Sequence, residues 1–472
     1  MSHSGQVRNK YIDIKPIENP QQQVKLKIFC MKVIQSFWGG KNKSIQNSYG
    51  WLDYKFHWLG WMLSCHQLVK YYNEVELYTD EFGYDILIRK LHLPYSKVHV
   101  VLDELNNLPN DLWAMAKIKT YSMQKEPFLH VDGDVFIFEP FPEELIKSQL
   151  IAQNKELTTT YYRAMWDKIY PNLEYLPIQM ECFHHGRNHL AYNMGIVGGN
   201  DVDFFKRYSR LSSDFVYKNT RIWDKINLFN FNVFFEQVLF HECAVSEDKT
   251  VDVLIKEDIG DNEYAGFGDF DAVPDKRTYL HLIGVFKRDA WTCYKMLQYC
   301  WYHHPEWIKL LFDLTIPDWN QKFDFQFTRE ENGELTGWYA KHLEGEEATA
   351  KRLLARDLFT YEQIRVIDGY EREGLDYKIT LLPEIIIAET QNGGYNLSVK
   401  EMLEYSFTID LDQMSEVILY ELNTAMHKSE LYTVMLSHFE TAPSPEESEK
   451  LKAVLLERIK HYIGLKIVAV HI

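Results

Sequence analysis

In the N-terminal part of the chain, short apolar runs alternate with stretches whose apolar residues recur every three or four positions. Lys27 to Trp38 predicts a first core strand that ends in a Gly39-Gly40 loop, where a ligand can come close to the backbone. From Trp51 to Tyr72, the spacing of Trp58, Trp61, Met62, Cys65 and Leu68 predicts an amphipathic helix. A strand follows at Glu74 to Asp80, a helix at Gly83 to Leu91, a strand at Lys97 to Leu102 and a helix at Leu112 to Met123. The run Phe128 to Val131 predicts a short buried strand. Strand and helix in alternation predict an α/β fold with a mainly parallel sheet. Open sheets of that kind bind ligands beyond the carboxyl ends of their strands.

Further on, the pattern from Ile151 to Asn188 is loose, and its aromatics (Tyr161, Tyr162, Trp166, Tyr170, Tyr175) predict an irregular segment lining a cleft. Tyr192 to Gly199 predicts a strand with tight backbone contact. Asp203 to Arg210 and Asn230 to His241 predict helices, and Arg277 to Ile283 a strand before Gly284. Beyond Pro305 the character changes. Trp307 to Phe312 predicts a helical run, and the polar stretch Asn320 to Gly345 a linker or exposed loop. There follow a helix at Glu347 to Phe359, a strand at Tyr377 to Ala388, helices at Ser398 to Tyr405 and Leu411 to Met426, a break at Thr441 to Glu446, a helix at Glu447 to Tyr462 and a closing strand at Leu465 to Val470. The expected organisation is an extension over 1–26, an α/β domain over 27–305 and an α+β domain over 306–472, with no motif in the last.

Composition narrows the classes. At 46% hydrophobic and 15% aromatic, the 472-residue chain can bury large cores. A net charge of −17 argues against a general nucleic-acid surface. The six cysteines form no C-x-x-C pair, which suits reduced thiols in the cytoplasm. Met1 to Lys27 lacks the apolar core of a signal peptide, and no run has the length of a membrane span.

The chemistry begins at Asp132-Gly133-Asp134, which ends the Phe128 strand. Two carboxylates one residue apart beside a core call for a compensating positive charge, and a divalent cation with oxygen ligands supplies one. The bland alternative is a surface turn or hairpin. Downstream, His281 offers an imidazole, Gly284 a bare backbone N–H and Lys287 a point charge for phosphate. The adjacent His184 and His185 are weaker metal candidates.

Taken together, these pieces resemble the metal-dependent glycosyltransferases of the GT-A fold, a Rossmann-like architecture. The match is to the retaining type that includes glycogenin and bacterial lipopolysaccharide galactosyltransferases. The resemblance rests on Asp-x-Asp at Asp132 and Asp134, Asn-x-Gly at Asn193 and Gly195, an acidic-Gln pair at Glu236 and Gln237, and His-x-x-Gly-x-x-Lys at His281, Gly284 and Lys287. Lys117 stands in the helix before the Asp-x-Asp strand, and the likeness covers about residues 28–290. It implies that Asp132, Asp134 and His281 hold Mn²⁺ or Mg²⁺ on the diphosphate of a nucleotide-sugar, a UDP-sugar first of all. Gly284, Lys287 and Lys117 would contact the donor, Asn193 and Gly195 would border sugar and acceptor, and Glu236 and Gln237 would lie near the anomeric carbon. The chain departs from the pattern with Glu236 in place of Asp, with Arg288-Asp289 after Lys287, and in lacking an Asp in the opening strand. The acceptor could be a glycan, a lipid-linked sugar, a peptide or a protein. Two competing functions are a catalytically inactive nucleotide-sugar or glycan binder acting through its C-terminal domain, and another metal enzyme such as a nucleotidyltransferase or phosphohydrolase.

Overall fold

The computed structural model describes residues 10–13, 31–41, 43–157, 160–186, 190–260, 264–284, 286–315, 323–329, 335–342, 367–382, 385–389, 395–399, 402–409, 411–439, 443–465 and 467–471. The chain divides into two compact units. One comprises Met1–Asn47 and His57–Ile283, the other Ser48–Phe56 and Gly284–Ile472.

The first unit is mixed α/β around a mostly parallel sheet. Its strands are β1 (Lys10–Asp13), β2 (Lys32–Phe37), β3 (Val75–Thr79), β4 (Lys97–Val100), β5 (Phe128–Val131), β6 (Val135–Ile137), β7 (Leu150–Leu157), β8 (Leu190–Gly199), β9 (Val251–Val253), β10 (Ile259–Gly260) and β11 (Tyr279–His281). The large sheet runs β1-β4-β3-β2-β5-β8-β7-β10, with β9 also on β7. β4, β3, β2 and β5 are mutually parallel, β8 is antiparallel to both β5 and β7, and β1 is an antiparallel edge. The central strands read as apolar runs because both faces are covered. On β5, Phe128, Leu129, His130 and Val131 are all buried. Helices α1 (Tyr54–Tyr71), α2 (Met115–Ser122), α3 (Tyr161–Ile169) and α4 (Val202–Tyr217) add to the layers. Phe204, Phe205 and Tyr208 of α4 and Ile118 and Tyr121 of α2 share one core with Phe128.

The predicted alternation from β2 to β5 is observed. The stretch from Ile151 to Asn188, expected to be irregular, instead holds the eight-residue strand β7, then α3, then a short helix at Glu181–His185. β7 was hidden because Gln153, Asn154 and Glu156 are polar yet buried, which breaks the apolar signature of a central strand.

In the second unit, a core of Tyr377, Ile379, Ile418, Leu431, Leu455, Ile459, Val468 and Val470 joins a three-stranded antiparallel sheet to three helices. The sheet is Met426–His427, Lys378–Leu381 and Val468–His471, and the helices are Gln413–Glu421, Lys428–Ser437 and Pro445–Gly464. Ser444 and Glu447 form a capping box at the start of the last helix. Two sequence expectations fail here. Part of the stretch read as a linker is a ladder of Phe323–Arg329 on Leu335–His342. The helix expected over 398–405 is replaced by Tyr395–Val399 and Met402–Ile409 in an antiparallel sheet with Ile385–Glu389. The helix expected over 347–359 lies outside the described residues. Among the described residues no helix is long and apolar enough to cross a membrane.

Candidate metal centre and the polar network around it

Asp132 to Val135 form a β-turn in which the Val135 N–H donates to the Asp132 carbonyl at 3.1 Å. The turn does not make a hairpin. β5 stays in the large sheet, whereas β6 leaves it and pairs with β11. Gly133 lies against Trp61, and a Cβ there would stand 2.6 Å from the indole. The register of the small ladder sets Val135 opposite His281, and the Leu282 N–H donates to the Asp134 carbonyl at 3.0 Å. Residues 147 positions apart in sequence are thus brought together by three backbone pairs. One ligand atom from each of Asp132, Asp134 and His281 lies within 4.8 Å of the others. His281 Nε2 is 3.4 Å from Asp134 Oδ1.

Gly195 makes this approach possible. It is opposite Asp132 across the β5–β8 ladder, where the Asp132 N–H donates to its carbonyl at 2.9 Å. A Cβ on Gly195 would sit 2.4 Å from both His281 Nδ1 and Gln153 Oε1. The residue therefore clears space for the imidazole, a structural reason for the Asn-x-Gly pair distinct from bordering a sugar.

Lys117 projects from α2 into the same cluster. Its three donors all find partners: Asp132 Oδ1 at 3.0 Å, the Met194 carbonyl at 3.1 Å and Glu236 Oε1 at 2.6 Å. Burial works against the ammonium, but Asp132 and Glu236 outweigh it and hold Lys117 above its ordinary range. Burial raises the Asp132 carboxyl; Lys117 and His281 oppose this and Asp134 adds to it. Burial also pushes Glu236 up to about 7, against the pull of Lys117 and with Asp132 and Glu156 contributing.

Glu236 and Gln237 sit on a π-helical turn, Phe234–Val238, between α-helical Leu228–Val233 and Leu239–Ser246. Such turns leave backbone carbonyls to be satisfied from outside the helix. Here Tyr208 donates to the Glu236 carbonyl at 2.8 Å and Ser212 to the Phe235 carbonyl at 2.7 Å. The Glu236 side chain is fully buried, and its Oε2 has no hydrogen-bond partner among the described residues. A buried carboxylate oxygen left so is expensive unless something else meets it.

Asn193 donates to Glu156 Oε1 at 3.0 Å and accepts from the Gly195 N–H at 3.0 Å. The Tyr264 and Tyr162 hydroxyls both donate to Glu156. Tyr162 is also 2.8 Å from Gln237 Oε1, which its single proton serves in competition with Glu156. One network thus joins Asn193 to Gln237 through Glu156. Tyr162 was read from the sequence as lining a cleft, whereas Gln153, Glu156, Tyr264 and Tyr279 were not singled out. The sequence gives no signal for Gln153 and Glu156 on β7, since Gln153-Asn154-Lys155-Glu156 is four polar residues in a row.

Gly284, at φ 47°, and Lys287 belong to the second unit, where the Lys287 carbonyl accepts from the Leu52 N–H at 2.8 Å. His184 takes up Trp166 Nε1–H at 3.2 Å and stacks on Tyr170, and His185 faces Glu181 at 3.4 Å, so this pair is engaged in helix packing. Trp38 and Trp166 are buried. Trp113, one turn before Lys117, is 38% exposed and pairs with Phe229, 61% exposed, at 6.5 Å between ring centroids. The Lys117 ammonium lies 5.8 Å from the Trp113 ring. Buried Asn232 ties the two aromatic segments together, accepting from the Ala114 N–H at 3.0 Å and donating to the Asp111, Leu228 and Phe229 carbonyls.

The donor set fits a hard divalent cation. Ligands at about 2.0–2.6 Å from one ion are separated from each other by up to about 5 Å, which matches the spacing of the two carboxylates and one imidazole. The unpartnered Glu236 oxygen shows unused acceptor capacity on a carboxylate that shares Lys117 with Asp132.

Fold and site together define an α/β protein with an Asp-Asp-His cluster at the end of a parallel strand. Residues 31–314, more than half of the chain, match the model of a family described as of unknown function, DUF6734, and the chain belongs to that family. No curated protein matches the chain.

Proposed function

We propose that the chain is a metal-dependent glycosyltransferase of the GT-A type, moving a sugar from a nucleotide-sugar, first of all a UDP-sugar, to a glycan, lipid-linked, peptide or protein acceptor. The observation that carries this reading is the meeting of Asp132, Asp134 and His281 within 4.8 Å at the end of β5. The parallel run β4-β3-β2-β5 followed by antiparallel β8 supports the GT-A assignment.

When bound by these three residues, Mn²⁺ or Mg²⁺ supplies a Lewis acid for the donor diphosphate. Lys117 fixes Asp132 and Glu236 in one orientation and adds positive charge where negative charge grows on the leaving group. Glu236 presents a buried carboxylate to an anomeric centre that becomes positive in the transition state, and Gln237 and Asn193 offer amides to sugar hydroxyls. The Glu156 network holds both amides in place. The Trp113–Phe229 pair, fixed by Asn232 beside Lys117, offers ring faces against which a sugar stacks.

The test is thermal melting of wild type and Asp134→Ala with UDP, GDP or ADP, each with and without Mn²⁺. A ligand that binds only the folded state stabilises it by about 2.7 kcal/mol at a hundred times its dissociation constant, and the melting temperature rises accordingly. A Mn²⁺-dependent rise, largest with UDP and lost in the variant, is expected; an equal rise in the variant counts against the assignment.

A further inference from the structure

We propose that Gln153 is a positioning residue that presents the Nε2 lone pair of His281 to the cation, an inference that rests on the metal-dependent reading above. The geometry forms a relay of orientation that begins at a group with only one possible role. The Lys155 backbone carbonyl can only accept, and Asn154 Nδ2 donates to it at 3.2 Å. That contact fixes the Asn154 amide and turns its Oδ1 toward Gln153, whose Nε2 donates to it at 2.9 Å. Gln153 must then turn Oε1 the other way, where Tyr279 donates at 2.5 Å and His281 Nδ1 lies at 2.6 Å. An amide oxygen only accepts, so Nδ1 carries the proton and Nε2 is left with its lone pair on the side of Asp134.

The two central links, Gln153 to Asn154 and Gln153 to His281, are buried from water. Gln153 and Asn154 are fully buried on β7, and the Oε1–Nδ1 contact occupies the space that a Gly195 side chain would fill. Tyr279 and His281 lie two apart on β11, on the same face, so one oxygen serves both. A second donor on that oxygen keeps the amide from turning over when the imidazole moves. A merely structural glutamine has no need for this order, since either amide orientation fills the volume equally well. Residues that hold a metal-ligating histidine in this way change metal affinity by about 10–100-fold when lost.

The test is Mn²⁺ binding to the full chain without donor or acceptor, read by the loss of the free-ion electron paramagnetic resonance signal. Wild type is compared with Gln153→Met, Gln153→Asn and Gln153→Glu, and the metal-free melting temperature of each is recorded. Gln153→Met removes the acceptor at similar volume, and Gln153→Asn withdraws it by one methylene. Each is expected to weaken Mn²⁺ at least about tenfold. Gln153→Glu keeps an acceptor against Nδ1 but sets a second oxygen against Asn154 Oδ1, and is expected to lose less Mn²⁺ affinity than Gln153→Asn. Gln153→Asn keeps the proposal testable where Gln153→Met does not fold. Equal affinity in wild type and in whichever of these two folds overturns the inference and leaves the metal site standing. A loss in Gln153→Glu as large as in Gln153→Asn also overturns it, because the acceptor is then not what matters. Absence of Mn²⁺ binding in wild type overturns the metal-dependent reading itself, and the inference with it.

Discussion

Two aspartates follow parallel strands of the same sheet, buried Asp80 after β3 and half-buried Asp132 after β5, and their surroundings differ. Asp80 is saturated: its oxygens accept from the Gly39 N–H at 3.0 Å and the Gly83 N–H at 2.8 Å, and Lys43 pairs with it at 3.0 Å. It closes a loop and caps a helical turn. Gly39 serves that packing, for a Cβ there would meet Phe82 at 2.6 Å, so the Gly-Gly loop is explained without a ligand. Asp132 shares its single lysine with Glu236 and stands beside a second carboxylate and an imidazole. An acid at a strand end is therefore not a site in itself. What separates the two is whether the protein's own donors use up the charge.

The largest effect is expected from Lys117→Met, which leaves fully buried Glu236 and half-buried Asp132 without their cation. Breaking a buried ion pair from one side costs about 3–5 kcal/mol. Lys43→Met, with Asp80 still held by two backbone N–H groups, is expected to cost about 1–3 kcal/mol. Urea unfolding of the pair checks this; equal losses erase the distinction between the clusters. Gly195→Ala is next. Its methyl group would overlap His281 and Gln153, and overpacking of this kind costs about 1–3 kcal/mol. Mn²⁺ affinity is expected to fall together with the melting temperature.

Asp80→Ala and Asp134→Ala should separate stability from binding. The first removes a cap and two backbone partners, at about 1–3 kcal/mol, with Mn²⁺ affinity unchanged. The second is expected to abolish Mn²⁺ binding with little change in metal-free melting. The smallest effect concerns pH. The folded value of Glu236, about 7, lies above that of an unfolded glutamate, about 4.3. Between them the native state holds the extra proton, so the stability from this group is present at acid pH and is lost as pH rises toward 7. A metal-free pH series is expected to show wild type losing stability relative to Glu236→Gln over that window, at no more than about 1.4 kcal/mol per pH unit. A difference of opposite sign contradicts the burial of Glu236.

Much of this geometry was legible because it is local. The alternation from β2 to β5 shows in apolar periodicity, and Asp-Gly-Asp shows a turn. That His281 meets this turn was an expectation from resemblance, since only the β6–β11 register brings it there. The network on β7 was not legible, because Gln153, Asn154 and Glu156 are polar for the sake of their partners and so disguise a central strand as a loop. In the second unit Met402-Leu403-Glu404 are good helix formers, and strand pairing with Tyr395–Val399 overrides that preference. The π-helical turn under Glu236 has no sequence signature either, because it depends on Tyr208 and Ser212 meeting its carbonyls from another helix.

The most direct measurement is an anomalous difference map from crystals grown with Mn²⁺ and UDP. A single peak about 2.0–2.6 Å from an oxygen of Asp132, an oxygen of Asp134 and His281 Nε2 is the expected result. A Mn²⁺ ion bound elsewhere, with Lys117 still the only cation on Asp132, would contradict the shared-ion site.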